Sequence, residues 1–169
     1  MWNIDNRIEY MECVRDLLED ADVQAMDNIS QHVKSINCLK HSVFVSYLSF
    51  LMCRKFGLDY VSASRAGLLH DMHLCDWNEK NINNIQKLRI HPAMAYRNAS
   101  KFGLNELEKD IILKHMWPVT IKMPRHRESF IVNLADKICT IAEITGIYKL
   151  LKADSRLDFR RRRLAANII

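Results

Sequence analysis

Six side chains of the types that bind metal ions occur in order along this chain. Four are histidines and two are aspartates, and one histidine is followed directly by an aspartate. They are His41, His70, Asp71, His91, His115 and Asp136. Imidazole nitrogens and carboxylate oxygens together suit divalent ions such as Zn, Mn, Fe, Co or Ni. The residue types therefore indicate a metal site, provided that the fold brings them together.

The spacing of the six residues suits a bundle of helices. Apart from the adjacent pair, successive candidates are 20 to 29 residues apart, about one helix and its connection, and the helices of a bundle can project ligands into a common core. Only four Gly and three Pro occur in the 169 residues, too few for the turns of a many-stranded sandwich or barrel. The sequence predicts an all-α fold, a helical bundle with a metal site in its core.

Apolar periodicity and capping residues predict the first helices. An amphipathic helix is predicted over residues 4–19, followed by a polar, irregular stretch over residues 20–35. A buried helix over residues 39–56 should end at Gly57 and carry His41 in its first turn. The next helix, capped by Asp59, should run directly into the His70 and Asp71 pair.

Capping residues and apolar periodicity also predict the helices of the second half of the chain. Residues 76–90 form a polar connection, after which Pro92 suits the first position of a helix that Gly103 ends. Asn105 and Glu108 resemble a capping box for the helix that carries His115. An apolar helix is predicted over residues 130–148, and a final helix with a basic face extends through residues 160–163.

Composition is that of an ordinary soluble protein, with 49% hydrophobic and 27% charged residues. We expect a single domain over residues 1–169, with its metal-binding core at about residues 36–150. The net charge of +5 lies mostly in residues 152–163, which predicts no nucleic-acid-binding face. The odd number of cysteines, five, indicates reduced thiols. With no signal peptide or membrane span apparent, a cytoplasmic location is expected.

The ordered ligands and their surroundings resemble the HD superfamily of metal-dependent phosphohydrolases, in particular its small, stand-alone bacterial members. Ala66-Gly67-Leu68-Leu69-His70-Asp71 is similar to the apolar run into the superfamily's His-Asp pair, and Leu134-Ala135-Asp136-Lys137 is similar to its closing segment. Met72, His73 and Leu74 replace the Ile-Gly-Lys that follows the pair in better-known members, so no lysine follows it here.

The resemblance implies two divalent metal ions, of Fe, Mn, Co, Ni or Zn. His41, His70, Asp71 and Asp136 would hold one ion, and Asp71 would bridge to a second ion held by His91 and His115. A metal-bound hydroxide would then cleave a small phosphoester, with a nucleotide among the candidates. Asp71 and His73 are the candidate catalytic residues.

Further residues are candidates for substrate contacts. Lys137 would neutralise phosphate charge or point outward from its helix, and Trp77 would stack on a nucleobase or pack its loop onto the bundle. His32 would reach the site opening or serve at the surface. The expected partner is a small phosphorylated substrate, without nucleic acid or membrane, and a homodimer through the opening helix is a further hypothesis.

Two alternative functions remain open at this stage. The same six ligand types would also hold two irons in an HD-type oxygenase. A non-catalytic sensor would use the pocket to bind a nucleotide or a metal ion.

Overall fold

The computed structural model describes residues 3–29, 36–74 and 83–157, which form helices and connecting segments without a β-strand. The helices are α1 (Ile4–Glu19), α2 (Ala21–Ala25), α3 (Cys38–Lys55), α4 (Tyr60–Leu69), α5 (Asn84–Ala99), α6 (Glu106–Lys114), α7 (Arg127–Ile144), α8 (Ile147–Leu150) and α9 (Ala153–Leu157). The all-α prediction is confirmed. Within the described ranges, no helix is both long and apolar enough to cross a membrane.

The central helix is α3, which packs most extensively against α4 and α7. Twelve of its 18 residues are buried, as expected for a helix that is apolar on nearly all sides. Gly67 lets α4 approach closely, because a Cβ atom at this position would lie 3.1 Å from Ser46 Cα. This close approach brings the end of α4 beside the first turn of α3.

The opening helix α1 has the predicted bounds, but only part of its apolar side is buried. Of the residues at apolar spacing, Val14 and Leu17 are buried, whereas Ile4 and Ile8 are 56% and 55% exposed. Tyr10 is buried instead, and its hydroxyl donates to Ser46 Oγ at 2.9 Å, which in turn donates to the carbonyl oxygen of Ser64 at 2.6 Å. A tyrosine is well suited to burial when its hydroxyl finds such a partner, and this contact fixes the rotation of α1.

Several helix ends follow the predicted capping chemistry. Asp59 accepts a hydrogen bond from Ser62 N at 2.9 Å at the start of α4, and Asn105 with Glu108 forms the predicted capping box of α6. Gly57, which ends the segment after α3, has a φ of +64°. That left-handed conformation favours glycine and explains the stop.

Two predicted boundaries are wrong. Pro92 lies inside α5 rather than at its start, because Asn83 and Gln86 form a capping box that begins the helix earlier. The stretch over residues 20–35 is helical in part, since Asp20 caps α2 by accepting from Asp22 N at 2.9 Å. Local side-chain to backbone bonds thus decide both helix starts.

Some predictions fall outside the described residues. These are the ones for His32, Trp77, Cys75 and the basic run at residues 160–163. The other four cysteines, Cys13, Cys38, Cys53 and Cys139, are free and buried. The helix predicted over residues 130–148 is divided into α7 and α8 at Gly146, which has a φ of +78°.

Candidate metal centre

Five helices bring the six predicted metal ligands together in the core. His41 lies in the first turn of α3, His91 in α5 and Asp136 in α7, while His70 and His115 are the C-cap residues of α4 and α6. All six residues are at most 9% exposed. The ligands are thus held in a buried cluster.

Asp71 is common to two groups of possible ligands. One group is His41, His70 and Asp71, and the other is Asp71, His91 and His115; within each group the ligand atoms lie within 4.8 Å of one another. Asp71 Oδ2 lies 4.0 Å from His41 Nε2 and 3.5 Å from His70 Nε2. Asp71 Oδ1 lies 3.3 Å from His91 Nε2 and 3.6 Å from His115 Nε2. One carboxylate therefore presents a different oxygen to each histidine pair.

Asp136 lies on the side of the first pair. Its Oδ1 atom is 3.1 Å from His41 Nε2 and 3.7 Å from His70 Nε2. The cluster therefore divides into His41, His70 and Asp136 on one side of Asp71 and the other two histidines on its far side.

In each of the four histidines of the cluster, the Nδ1 atom is hydrogen-bonded to an acceptor. For three of them the acceptor is a carbonyl oxygen of their own helix: His70 Nδ1 lies 2.8 Å from Gly67 O, His91 Nδ1 3.0 Å from Lys87 O, and His115 Nδ1 2.8 Å from Ile112 O. Since a carbonyl oxygen only accepts, the hydrogen resides on Nδ1 and the lone pair of a neutral imidazole on Nε2. All three lone pairs face the cluster.

His41 differs from the other three in its supporting acceptor. Its Nδ1 atom donates to Glu143 Oε1 at 2.9 Å, and both side chains are fully buried. Histidines that ligate metals commonly donate their other N–H to a carboxylate, which fixes the ring and strengthens it as a ligand.

The arrangement fits divalent metal ions. His91 Nε2 and His115 Nε2 are only 2.7 Å apart, so two lone pairs face each other unless a cation or proton lies between or beside them. His70 Nε2 is buried and has no hydrogen-bond partner among the described residues. A buried nitrogen of this kind is costly unless it has a partner. Bound metal ions would provide a partner for all three of these Nε2 atoms.

The charges of the cluster influence one another strongly. Burial lowers the pKa of His41, but its hydrogen bonds with Asp136 and Glu143 outweigh burial and raise it to about 10. Burial and the nearby imidazoles of His91 and His70 lower the pKa of His115 to about 3. The core around His41 therefore stabilises a positive charge, whereas His115 stays neutral at pH 7, the form of imidazole that binds a metal ion.

The two aspartates of the cluster are held in their ionised form. Burial by itself raises the pKa of Asp71 and of Asp136, but His70 and His91 near the first, and hydrogen bonding with His41 at the second, bring both below the usual range. Ionised carboxylates are the form that binds metal ions.

Glu143 is a residue of this site that the sequence analysis missed. It lies seven residues after Asp136 in α7, so both project from the same side of the helix. A single acid within the apolar stretch of residues 138–147 was a signal that it faces a polar partner.

Lys137 and Asn133 link α7 to the end of α6. Asn133 donates its Nδ2 hydrogens to the carbonyl oxygens of His115 and Trp117, and Lys137 Nζ donates to Asn133 Oδ1 at 2.8 Å. Lys137 is partly buried, which lowers its pKa. Its Nζ atom lies 3.5 Å from the backbone carbonyl oxygen of His115, at the end of α6.

His73 lies near the second histidine pair. It is buried, and its ring centroid is 6.3 Å from that of His91. Neither of the two ligand groups includes it.

Comparison with known proteins identifies the family of this chain. The family model described as HD domain matches residues 38–141, more than half of the chain. The chain belongs to the HD domain family. The matched segment begins at the start of α3 and includes all six clustered residues, while Glu143 lies two residues beyond its end.

Proteins named Ribonuclease Y are similar to this HD domain. The one from Clostridium perfringens is 61% identical over 36 residues, which are 21% of this chain and 7% of the relative. The one from Bacillus licheniformis is 27% identical over 157 residues, covering 78% of this chain and 30% of the relative. The chain thus spans less than a third of the length of these curated relatives. No solved structure matches it.

Proposed function

We propose that this HD domain is a metal-dependent phosphohydrolase with a dinuclear centre that cleaves a small phosphoester. The observation that carries the proposal is the position of Asp71, whose two oxygens face two different pairs of histidines. A bridging carboxylate of this kind suits two neighbouring ions better than one. The family membership supports the reaction class.

The ligand sets follow from the distances. His41, His70, Asp71 and Asp136 would hold the first ion, and Asp71, His91 and His115 the second. Bound divalent ions would lower the pKa of water toward about 7 and polarise phosphoryl oxygens. The second set has fewer protein ligands, which leaves more positions for water and substrate.

Hydrogen bonds within the protein hold the four histidine rings in the orientation that metal binding would need. Carbonyl oxygens of Gly67, Lys87 and Ile112 hold the Nδ1 hydrogens of three histidines, so that each presents Nε2 to the centre. Glu143 does the same for His41. Because the four histidines and Glu143 are buried, water competes little for these side chains, and their electrostatic interactions are stronger than at the surface.

Two further residues are proposed to act on the substrate. Lys137, beside His115 at the end of α6, would neutralise phosphate charge. To do so, its Nζ atom would give up its hydrogen bond to Asn133 Oδ1. His73, buried near His91, would contact the substrate or transfer a proton to the leaving oxygen.

Phosphodiesters are the first substrates to test, because the named relatives are ribonucleases. The protein, purified without chelators, is analysed for its metal content and is then assayed with phosphomonoesters, bis-p-nitrophenyl phosphate and a short RNA. We expect more than one metal ion per chain and anaerobic release of product. Asp71→Asn should abolish turnover. Asp110→Asn, which alters a buried acid bonded to Ser129, is the matched control and should retain it.

The same experiment separates the alternatives. Binding of no more than one ion per chain after reconstitution would contradict the dinuclear centre. Iron content with oxygen consumption, and no product under anaerobic conditions, would assign the site to an oxygenase. A biological effect that survives Asp71→Asn would assign it to a sensor.

A further inference from the structure

The outward face of α7 is apolar along its length. From residue 130 to residue 144, every exposed residue is a large hydrophobic one. These are Phe130, Leu134, Ile138, Ile141 and Ile144, with exposures of 39%, 48%, 42%, 59% and 65%. A surface helix of a monomer normally carries charged and polar residues at such positions.

Large apolar side chains are also exposed in the segments before and after the helix. Ile147 and Leu150 of α8 are 45% and 82% exposed, and Ile121, in the segment before α7, is 96% exposed. We define the α7 face as the five exposed hydrophobic residues of α7 together with Ile147 and Leu150.

Charges are confined to the ends of the α7 face. Between residues 128 and 148 no charged side chain of the described structure is exposed, whereas Arg127 and Lys149 are exposed at the two ends. Residues 130–144 of α7, which include no exposed charged side chain, span about 21 Å at 1.5 Å per residue. An apolar, charge-depleted centre with charges at its edge is the pattern of a protein interface.

We propose that the α7 face is the contact surface of a homodimer, in which two copies of α7 pack against each other about a twofold axis. Phe130, Leu134 and Ile138 are spaced by four residues and form one ridge along the helix. Two such ridges interdigitate when helices cross at about 50°. At that angle the ends of the helices diverge, which keeps Arg127 and Lys149 away from the like charges of the partner.

The size of the face matches what a dimer requires. From their exposed fractions, its seven residues present roughly 700 Å² of accessible surface, against the roughly 800 Å² that each partner contributes to a standard interface. Residues 119–123 would add to this. The same patch on both copies suffices, as in any isologous twofold contact.

Other occupants suit the face less well. A helix that lies on an anionic lipid surface carries lysines and arginines along its flanks, and a nucleic-acid surface carries them throughout. Between residues 128 and 148 the only lysine or arginine is Lys137, which is partly buried and donates to Asn133 Oδ1. The observations therefore favour a second copy.

Light scattering after size exclusion tests the proposal at micromolar concentration. The wild-type chain should have a mass of 39.6 kDa, twice the 19.8 kDa of one chain. Ile138→Glu, which places a charge at the centre of the face, should give 19.8 kDa. Ile8→Glu is the matched control, an isoleucine of similar exposure on α1, and should remain dimeric. Circular dichroism and metal content should be unchanged in both variants, because the altered residues are exposed.

Four results would overturn the proposal. A monomeric wild-type chain excludes the dimer, and if that monomer sediments with phosphatidylglycerol vesicles, the face belongs to a lipid surface. A dimer that persists in Ile138→Glu lies elsewhere on the molecule. Dissociation by Ile8→Glu alone would place the interface on the opening helix. A loss of helical content in Ile138→Glu would show that this position supports the fold and is not a free face.

Discussion

Glu143→Gln should weaken the binding of one metal ion and leave the other unchanged. Glutamine keeps an oxygen that accepts from His41 Nδ1 but removes the charge from a fully buried contact of 2.9 Å. Hydrogen bonds to charged groups contribute about 1.5–3 kcal/mol and neutral ones about 0.5–1.5 kcal/mol. The difference, about 1–1.5 kcal/mol, corresponds to a loss of roughly tenfold in affinity. Glu143→Ala, which removes the whole contact, should cost up to about a hundredfold.

Titration of metal-free protein against a competing chelator measures both binding steps. The matched control is Glu108→Gln, because Glu108 is a buried glutamate at the far end of α6 whose carboxylate accepts from Asn105 N and pairs with Arg65. This variant should lose stability without losing affinity for metal. Unchanged binding in Glu143→Gln, or an equal loss in both steps, would refute the argument that Glu143 acts through His41.

Three other changes test the remaining parts of the structure. Asp71→Asn should reduce the metal content to less than one ion per chain by elemental analysis, because both ligand groups share this carboxylate. Gly67→Ala should lower the free energy of unfolding in urea by about 1–3 kcal/mol, since its Cβ would crowd Ser46; an unchanged midpoint would contradict the tight contact of α3 and α4. The metal-free protein should be most stable near pH 6.5. The pKa of His115 is about 3 in the folded protein, so below pH 6.5 this histidine is protonated only in the unfolded chain and the folded state loses stability. The pKa of His41 is about 10 in the folded protein, so above pH 6.5 its contribution to stability is lost as the pH rises toward that value. A stability that is flat between pH 4 and pH 9 in urea titrations would contradict these shifts.

The parts of the fold that were predictable from sequence depend on local chemistry. Asp59, Gly57 and the Asn105–Glu108 box mark helix ends because their side chains or backbone conformations serve the helix end directly. The helix start predicted at Pro92 also rested on local chemistry, and it was wrong. Proline suits the first position of a helix, but here the capping box of Asn83 and Gln86 begins α5 upstream and leaves Pro92 inside the helix.

The parts that were not predictable depend on which neighbours a helix meets. The residues of α7 are apolar on two sides, and the pattern alone cannot say which side faces α3 and which faces outward. The ligand order predicted that six residues converge, whereas the role of Glu143 depends on the rotation of α7 against α3. Likewise, Ile8 and Tyr10 both fit an amphipathic α1, and only the contact of Tyr10 with Ser46 decides between them.

The positions of His70 and His115 at the C-terminal ends of α4 and α6 have a consequence for the order of assembly. The C-terminal end of a helix carries partial negative charge, and two such ends meet here beside the carboxylates of Asp71, Asp136 and Glu143. A phosphate group would be repelled from this cluster without its ions and attracted to it once they are bound. In the proposed phosphohydrolase, metal binding would therefore raise the affinity for an anionic substrate, so that substrate binding and catalytic activity would both depend on the same ions.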